Sequence, residues 1–253
     1  MDTFAHVNGV RLAYRVWGEK DAPAVVLLHG IGGGGPGDWD TVAQSLADRW
    51  RVFALDLRGH GRSDRSDDYS IDSLVADVHE VFGVLGLGQA TVVGHSLGGV
   101  VAYLFAARYP QLVTALVVED AGLLYPRAPV APQRPEGVLP FDWAAVLALR
   151  GQIDEPDPRW RDQARSVTVP TLLVWGGQAS HMRRETIAEL AQALPRVELI
   201  TIDAGHMVHE QRPAEFVEAV REFLGELGHV GNAVGLAGQV GGEPAIDRPE
   251  RTP

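Results

Sequence analysis

The stretch "VVGHSLGG" contains Gly94-x-Ser96-x-Gly98, with an apolar run before it and a helical pattern after it. A serine placed there tips a strand into a helix through a turn so tight that side chains two positions before and after it would clash. Glycine at 94 and 98 relieves that clash, and the Ser96 hydroxyl is lifted to the helix N-terminus as a nucleophile. A serine hydroxyl is a weak nucleophile and needs an adjacent base, most often histidine. Of nine histidines, His206 is best placed: the loop "DAGHMVH" follows the last apolar strand and precedes the final helix. That position puts it at the carboxyl edge of a parallel sheet, on the side of Ser96. His209, three residues on, reads as a packing or surface histidine, and His206 with His209 as a metal pair lacks a third ligand cluster.

The elements that must carry these residues follow from periodicity. Asn8-Gly9 between two short alternating runs predicts a type I′ hairpin. "AVVLLH" predicts a strand, followed by a glycine loop and a helix with Val42, Leu46 and Trp50 on one face. The alternation continues as strand "RVFALDL", a helix over 70–85, strand "ATVVGH", a helix over 97–109, strand "TALVVED", strand "PTLLVWG", a helix over 184–194, strand "VELITID" and a helix opened by Pro213. Apolar strands alternating with amphipathic helices imply an α/β fold, a mostly parallel, doubly wound sheet covered on both faces and preceded by the hairpin. Residues 1–120 and 169–227 form the core. The rhythm stops over 121–168, a segment longer than an ordinary connection, which is assigned as a cap. Within the cap, "DWAAVLALRG" predicts a short helix with Asp142 as N-cap and Gly151 just past its end. Residues 228–253, rich in glycine and without helical period, are expected to be a disordered tail.

Composition narrows the function classes. The 253 residues include no cysteine, which excludes disulfides, thiolate zinc sites and cysteine nucleophiles, and the net charge is −11. Such acidity argues against nucleic acid and anionic membranes as partners. With no signal-like or eighteen-residue apolar segment, a cytoplasmic protein acting on a small molecule is expected, without a cofactor or metal. Composition leaves the oligomeric state open.

Four pieces in order, "LLHGIGG", "DLRGHGRSD", "GHSLGG" and "GHMVHEQRP", resemble the α/β-hydrolase superfamily in its serine-nucleophile branch, over residues 4 to about 225. The resemblance implies an oxyanion hole made by two backbone N–H groups, those of Ile31 and Leu97. It also implies a carboxylate that orients the histidine, commonly after the strand matching "TLLVWG". There this chain has Ala179, which cannot accept a hydrogen bond through its side chain. Some members carry the acid after the preceding strand, where this chain reads "LVVEDAG". Asp120 is therefore assigned as the triad acid, keeping the order Ser, acid, His. Glu119 is the rival, since alternation along a strand lets only one of the two face the site. Asp203 lies too near His206 along its own strand, and Asp56 reads as a strand-end loop anchor.

The expected activity is a serine hydrolase cleaving a carboxylic ester, lactone or thioester through an acyl-enzyme. The epoxide hydrolase and dehalogenase branches use aspartate where this chain has Ser96. Cap residues Leu123, Tyr125, Phe141 and Trp143 are candidates for an apolar substrate pocket. The cap's six Arg against six Asp/Glu give no sign of an anionic substrate. Two other classes remain open. One is a non-hydrolytic protein on the same fold, a cofactor-free cyclase or oxygenase or a binding protein. The other is an NAD(P) oxidoreductase, because Gly30, Gly32 and Gly35 satisfy G-x-G-x-x-G. That pattern is poorly seated, since Pro36-Gly37 follow it where a pyrophosphate-binding helix should open.

Overall fold

A computed structural model describes residues 3–237. The chain opens with a hairpin of β1 (Thr3–Val7) and β2 (Val10–Trp17). Its turn takes positive φ at both Asn8 and Gly9, 46° and 78°, as a type I′ turn demands. There follow β3 (Ala24–Leu28), α1 (Asp40–Leu46), β4 (Arg51–Leu55), α2 (Ile71–Leu85), β5 (Ala90–His95), α3 (Leu97–Arg108) and β6 (Val113–Glu119). The ends of α2 are set by short-range chemistry: Ser70 accepts a hydrogen bond from the Ser73 amide, and Gly86 closes the helix in the left-handed region. Residues 121–168 carry α4 (Trp143–Asp154) and α5 (Arg159–Arg165). The chain then returns as β7 (Thr171–Trp175), α6 (Arg184–Ala193), β8 (Val197–Thr201), α7 (Val208–Gln211) and α8 (Pro213–Ala237).

The eight strands form one sheet in the order β1-β2-β4-β3-β5-β6-β7-β8, antiparallel at β1, β2 and β4 and parallel from β4 to β8. Both faces of β3 to β7 are largely buried, which is why these segments are continuously apolar rather than alternating, whereas the edge strand β8 stays mostly exposed. On β3, Val26 and Leu28 join the core under α2 and α3, while Val25 and Leu27 join the one under α1 and α8. From β3 the chain moves outward to β4 and then crosses back to β5 on the other side. The loops leaving the carboxyl ends of β3 and β5 therefore part, and a crevice opens between them.

The structure differs from the sequence reading in several places: α1 ends at Leu46, leaving Trp50 beyond it, and the short helix α7 was not expected. Gly151 does not end its helix: α4 runs to Asp154, starting at Asp142, which accepts a hydrogen bond from the Ala144 amide. A mid-helix glycine costs only about 1 kcal/mol, and burial of Ala145, Val146 and Leu149 outweighs it. The short helix α5 was not read from its sequence; Trp160 and Ala164 bury it against the core. At the far end, α8 continues past the 227 boundary to Ala237, and the remainder of the expected tail, 238–253, lies outside the described residues. Among the described residues no helix is long and apolar enough to cross a membrane.

Candidate active site

Ser96 lies between β5 and α3 with φ 52° and ψ −114°, a conformation that non-glycine residues adopt only when the surroundings enforce it. The flanking glycines show what enforces it. A Cβ on Gly94 would collide with the Gly98 carbonyl, and one on Gly98 with the Leu28 carbonyl at the end of β3. Gly30 on the neighbouring loop is equally constrained, since a Cβ there would stand 2.8 Å from His95 Nδ1 and 3.3 Å from Ser96 Cβ. Small residues on two loops thus let β3 and β5 present a serine at the crevice. Leu97 begins α3, whose first-turn amides have no intrahelical acceptor.

His206 reaches the same place from the loop after β8. Its Nδ1 lies 2.7 Å from Asp120 Oδ2, the first residue beyond β6. Asp120 is wholly buried and has φ 46°, fixed by its amide donating to the Val174 carbonyl at 2.7 Å. The Gly176 amide donates to its other oxygen, Oδ1, at 2.8 Å. The Ser180 hydroxyl donates to Oδ2 and itself accepts from the Met182 amide at 2.9 Å. The 176–182 loop, which lacks a carboxylate, therefore supplies donors that hold one borrowed from the neighbouring strand. An ionised carboxylate only accepts, so Nδ1 of His206 carries the proton in this contact and Nε2 keeps a lone pair.

Glu119 points the other way, as alternation requires. It accepts from the His209 amide at 2.9 Å and from His209 Nδ1 at 2.8 Å. The His209 ring stacks on Trp39 with centroids 3.9 Å apart, and its Nε2 is 3.4 Å from Asp38 Oδ1. Burial opposes a charge on His209, but Glu119 and Asp38 outweigh it and raise its pKa to about 9. Burial likewise opposes ionisation of Glu119 and Asp38, yet His209 and its neighbours hold both carboxyls below their ordinary range. This buried acid–imidazolium–acid triplet underpins the loop carrying His206. His95 is the opposite case: burial pushes it down to about 4, and its Nε2 donates to the His206 carbonyl at 2.8 Å.

Ser96, His206, Ile31 and Leu97 line one cavity of about 230 Å³. The four cap residues expected to wall it do not. Leu123 is buried in the core, its amide bonded to the Thr186 carbonyl. Tyr125 faces outward to Glu189 and Arg161. Phe141 packs over Gly32 and His60, and Trp143 begins α4. The cap instead contributes Ala121, Gly122, Leu124, Arg127, Arg150 and Ile153. The sequence reading missed His181, Arg127 and Arg150. His181 came in the very loop inspected for an acid, and its ring centroid is 4.0 Å from that of His206. Burial and the adjacent His206 lower its pKa.

The glycine-rich loop after β3 does not present itself to a pyrophosphate. The Gly34 amide is bonded to Asp38 Oδ2 at 2.5 Å and the Gly35 amide to Asp56 Oδ1 at 2.7 Å. The amides a phosphate needs are already held by carboxylates that would repel it. Asp56 also accepts from the Arg62 amide at 3.0 Å, and so anchors two loops.

Comparison with known proteins gives a consistent picture. Residues 23–145 match the family model described as alpha/beta hydrolase fold. The chain is 29% identical over 269 residues to the sn-1-specific diacylglycerol lipase ABHD11 of Mus musculus, covering 87% of each protein. It is 26% identical over 283 residues to epoxide hydrolase 3 of Xenopus tropicalis, covering 87% of this chain and 76% of that one. The crystal structure of an enol-lactonase from Burkholderia xenovorans superposes with a TM-score of 0.75 at 23% identity, over 88% of this chain and 99% of the other.

Proposed function

Because the chain belongs to the α/β-hydrolase superfamily, we propose that it is a serine hydrolase that cleaves a carboxylic ester, lactone or thioester through an acyl-enzyme on Ser96, His206 and Asp120. The observation carrying this reading is the 2.7 Å contact between His206 Nδ1 and a buried Asp120 carboxylate. It leaves Nε2 as the free basic nitrogen beside a cavity that also holds the strained Ser96. The Ser96 oxygen attacks the substrate carbonyl as His206 Nε2 takes its proton, and Asp120 stabilises the resulting imidazolium. The tetrahedral oxyanion is received by the Ile31 and Leu97 amides, one on the loop after β3 and one at the start of α3, both residues lining the cavity. On collapse, His206 protonates the departing alcohol, thiolate or ring oxygen, and the same histidine then activates the water that releases the acid.

A relative named epoxide hydrolase does not bring epoxide opening to this chain. Its nucleophile position offers a hydroxyl, where the aspartate branches form an ester through a carboxylate. The test is a fluorophosphonate label followed by peptide mapping, combined with a rate screen over p-nitrophenyl esters of graded length, lactones and acyl-CoA thioesters. The reading predicts labelling confined to Ser96 and turnover in at least one substrate class. An unlabelled Ser96 would overturn it.

A further inference from the structure

Summed over 121–168 the cap is neutral, but its charges are not evenly spent. Arg159 pairs with Asp157 and Arg165 with Asp162 on the outer surface. Arg127 and Arg150 instead line the cavity that holds Ser96 and His206. Arg127 is half engaged: its Nε donates to Asp154 Oδ1 at 2.6 Å and its amide to the Asp154 carbonyl at 2.9 Å. Arg150 has no such partner. Its Nε is buried without an acceptor, and among the described residues no carboxylate lies within 4.0 Å of its guanidinium nitrogens. The other charged groups at the cavity do not compensate it. Asp38 is held by the Gly34 amide and by His209, and His181 is pushed toward its neutral form by burial and His206. The remaining wall includes Val100, Leu124, Ile153 and Met182.

A guanidinium cannot shed its charge, and one that lines a cavity with no carboxylate beside it is left to bind an anion there. Its planar fork suits a carboxylate, which can take two parallel hydrogen bonds. We infer that the substrate of this site carries a carboxylate alongside its scissile ester, lactone or thioester, and that Arg150, flanked by Arg127, is the specificity-determining residue that binds it. The inference rests on the serine hydrolase reading and narrows its substrate class to short, singly anionic acyl compounds.

The test uses full-length Ser96→Ala protein, in which an ester is bound but not consumed, and compares monoethyl glutarate with its neutral counterpart diethyl glutarate by calorimetry at pH 7. The monoanion should bind at least about tenfold tighter, equivalent to ~1.4 kcal/mol. Adding Arg150→Met should bring the two ligands within about threefold of each other, and Arg150→Lys should restore part of the preference. An unchanged melting temperature in the Lys variant guards against misfolding as the cause. The inference is overturned if the diester binds as well as the monoanion, if Arg150→Met leaves the ratio as it was, or if the monoanion fails to bind at millimolar concentration. Failure of the hydrolase reading shows elsewhere, in an unlabelled Ser96 and no turnover by the parent enzyme, whichever ligand the Ala variant prefers.

Discussion

Replacing Asp120 by Asn should cost about four decades in kcat while leaving the fold in place. The carboxylate accepts from three donors: the Gly176 amide at 2.8 Å, the Ser180 hydroxyl and His206 Nδ1 at 2.7 Å. An amide can keep its oxygen on the Gly176 N–H, and its NH₂ group then faces Ser180 and His206. The serine hydroxyl can rotate to accept, so that bond survives. His206 must move its proton to Nε2 in order to accept at Nδ1, and in that tautomer it has no lone pair for Ser96. The lost charge points to the same size of effect. A full imidazolium–carboxylate pair at 2.7 Å attracts with about 6 kcal/mol at an effective dielectric of 20. Four decades in rate correspond to about 5.4 kcal/mol, and a fall of about 10⁴ accompanies the same replacement in a serine protease. The assay is kcat for the best ester of the screen, with circular dichroism and melting temperature as fold controls. Glu119→Gln is the contrasting variant, because Glu119 serves His209 and not His206. It should lower the melting temperature while any folded fraction keeps turnover. The reasoning is refuted if Asp120→Asn stays within tenfold of the parent enzyme, or if Glu119→Gln abolishes turnover in a folded protein while Asp120→Asn does not.

Ser96→Ala and His206→Ala should each abolish ester hydrolysis with unchanged melting temperature, since attack and proton transfer act as one unit; a residual rate within tenfold of the parent enzyme, measured at saturating ester, would count against the assignment. In the double variant Asp120→Asn, Ala179→Asp, part of the lost rate should return. Ala179 lies against Gly205, with its Cβ 3.9 Å from where a Cβ on Gly205 would stand, so a carboxylate there is one residue from His206; no gain in kcat over Asp120→Asn alone would show that the position does not reach. The buried triplet predicts a pH signature of stability. The folded pKa of His209 is raised from 6.5 to about 9, so its contribution is complete below about pH 6.5 and fades as the pH rises through 9. The melting-temperature gap between the parent protein and His209→Gln should therefore shrink steadily from pH 6.5 to 9, and a gap independent of pH would contradict it. The variant is the proper reference, because His95 and His60, depressed to about 4 and about 3, act in the opposite direction below pH 6.5 in both proteins.

Much of this molecule is legible in its sequence because the deciding interactions are local. Buried parallel strands must be apolar on both faces, so "AVVLL" and "TVVGH" announce themselves within six residues. The turn at Ser96 is legible for much the same reason, since a Cβ on Gly94 would strike the Gly98 carbonyl four positions on, although the glycine at 98 answers to the distant Leu28 carbonyl. Asn8-Gly9 and the Ser70 cap are equally short-range. Helix length in the cap was misread because packing of Ala145, Val146 and Leu149 overrides what Gly151 says locally.

The chemistry of the site depends on contacts that no window of sequence contains. Asp120 and His206 are 86 residues apart and meet because β6 and β8 flank β7, with loops that close on Gly176. Alternation along β6 allows one of Glu119 and Asp120 to face the crevice but does not say which. That choice is made by the positive φ of Asp120, by its amide on Val174 and by the waiting His209 on the other face. The cap's neutral sum hid Arg150, because charge counts are additive along a chain while pairing depends on which side chains share a cavity. Local sterics and periodicity therefore determine where the sheet, the elbow and the histidine loop lie. The direction in which a strand-end carboxylate points, and the guanidinium left without a partner, are set only when distant segments compete for the same hydrogen bonds.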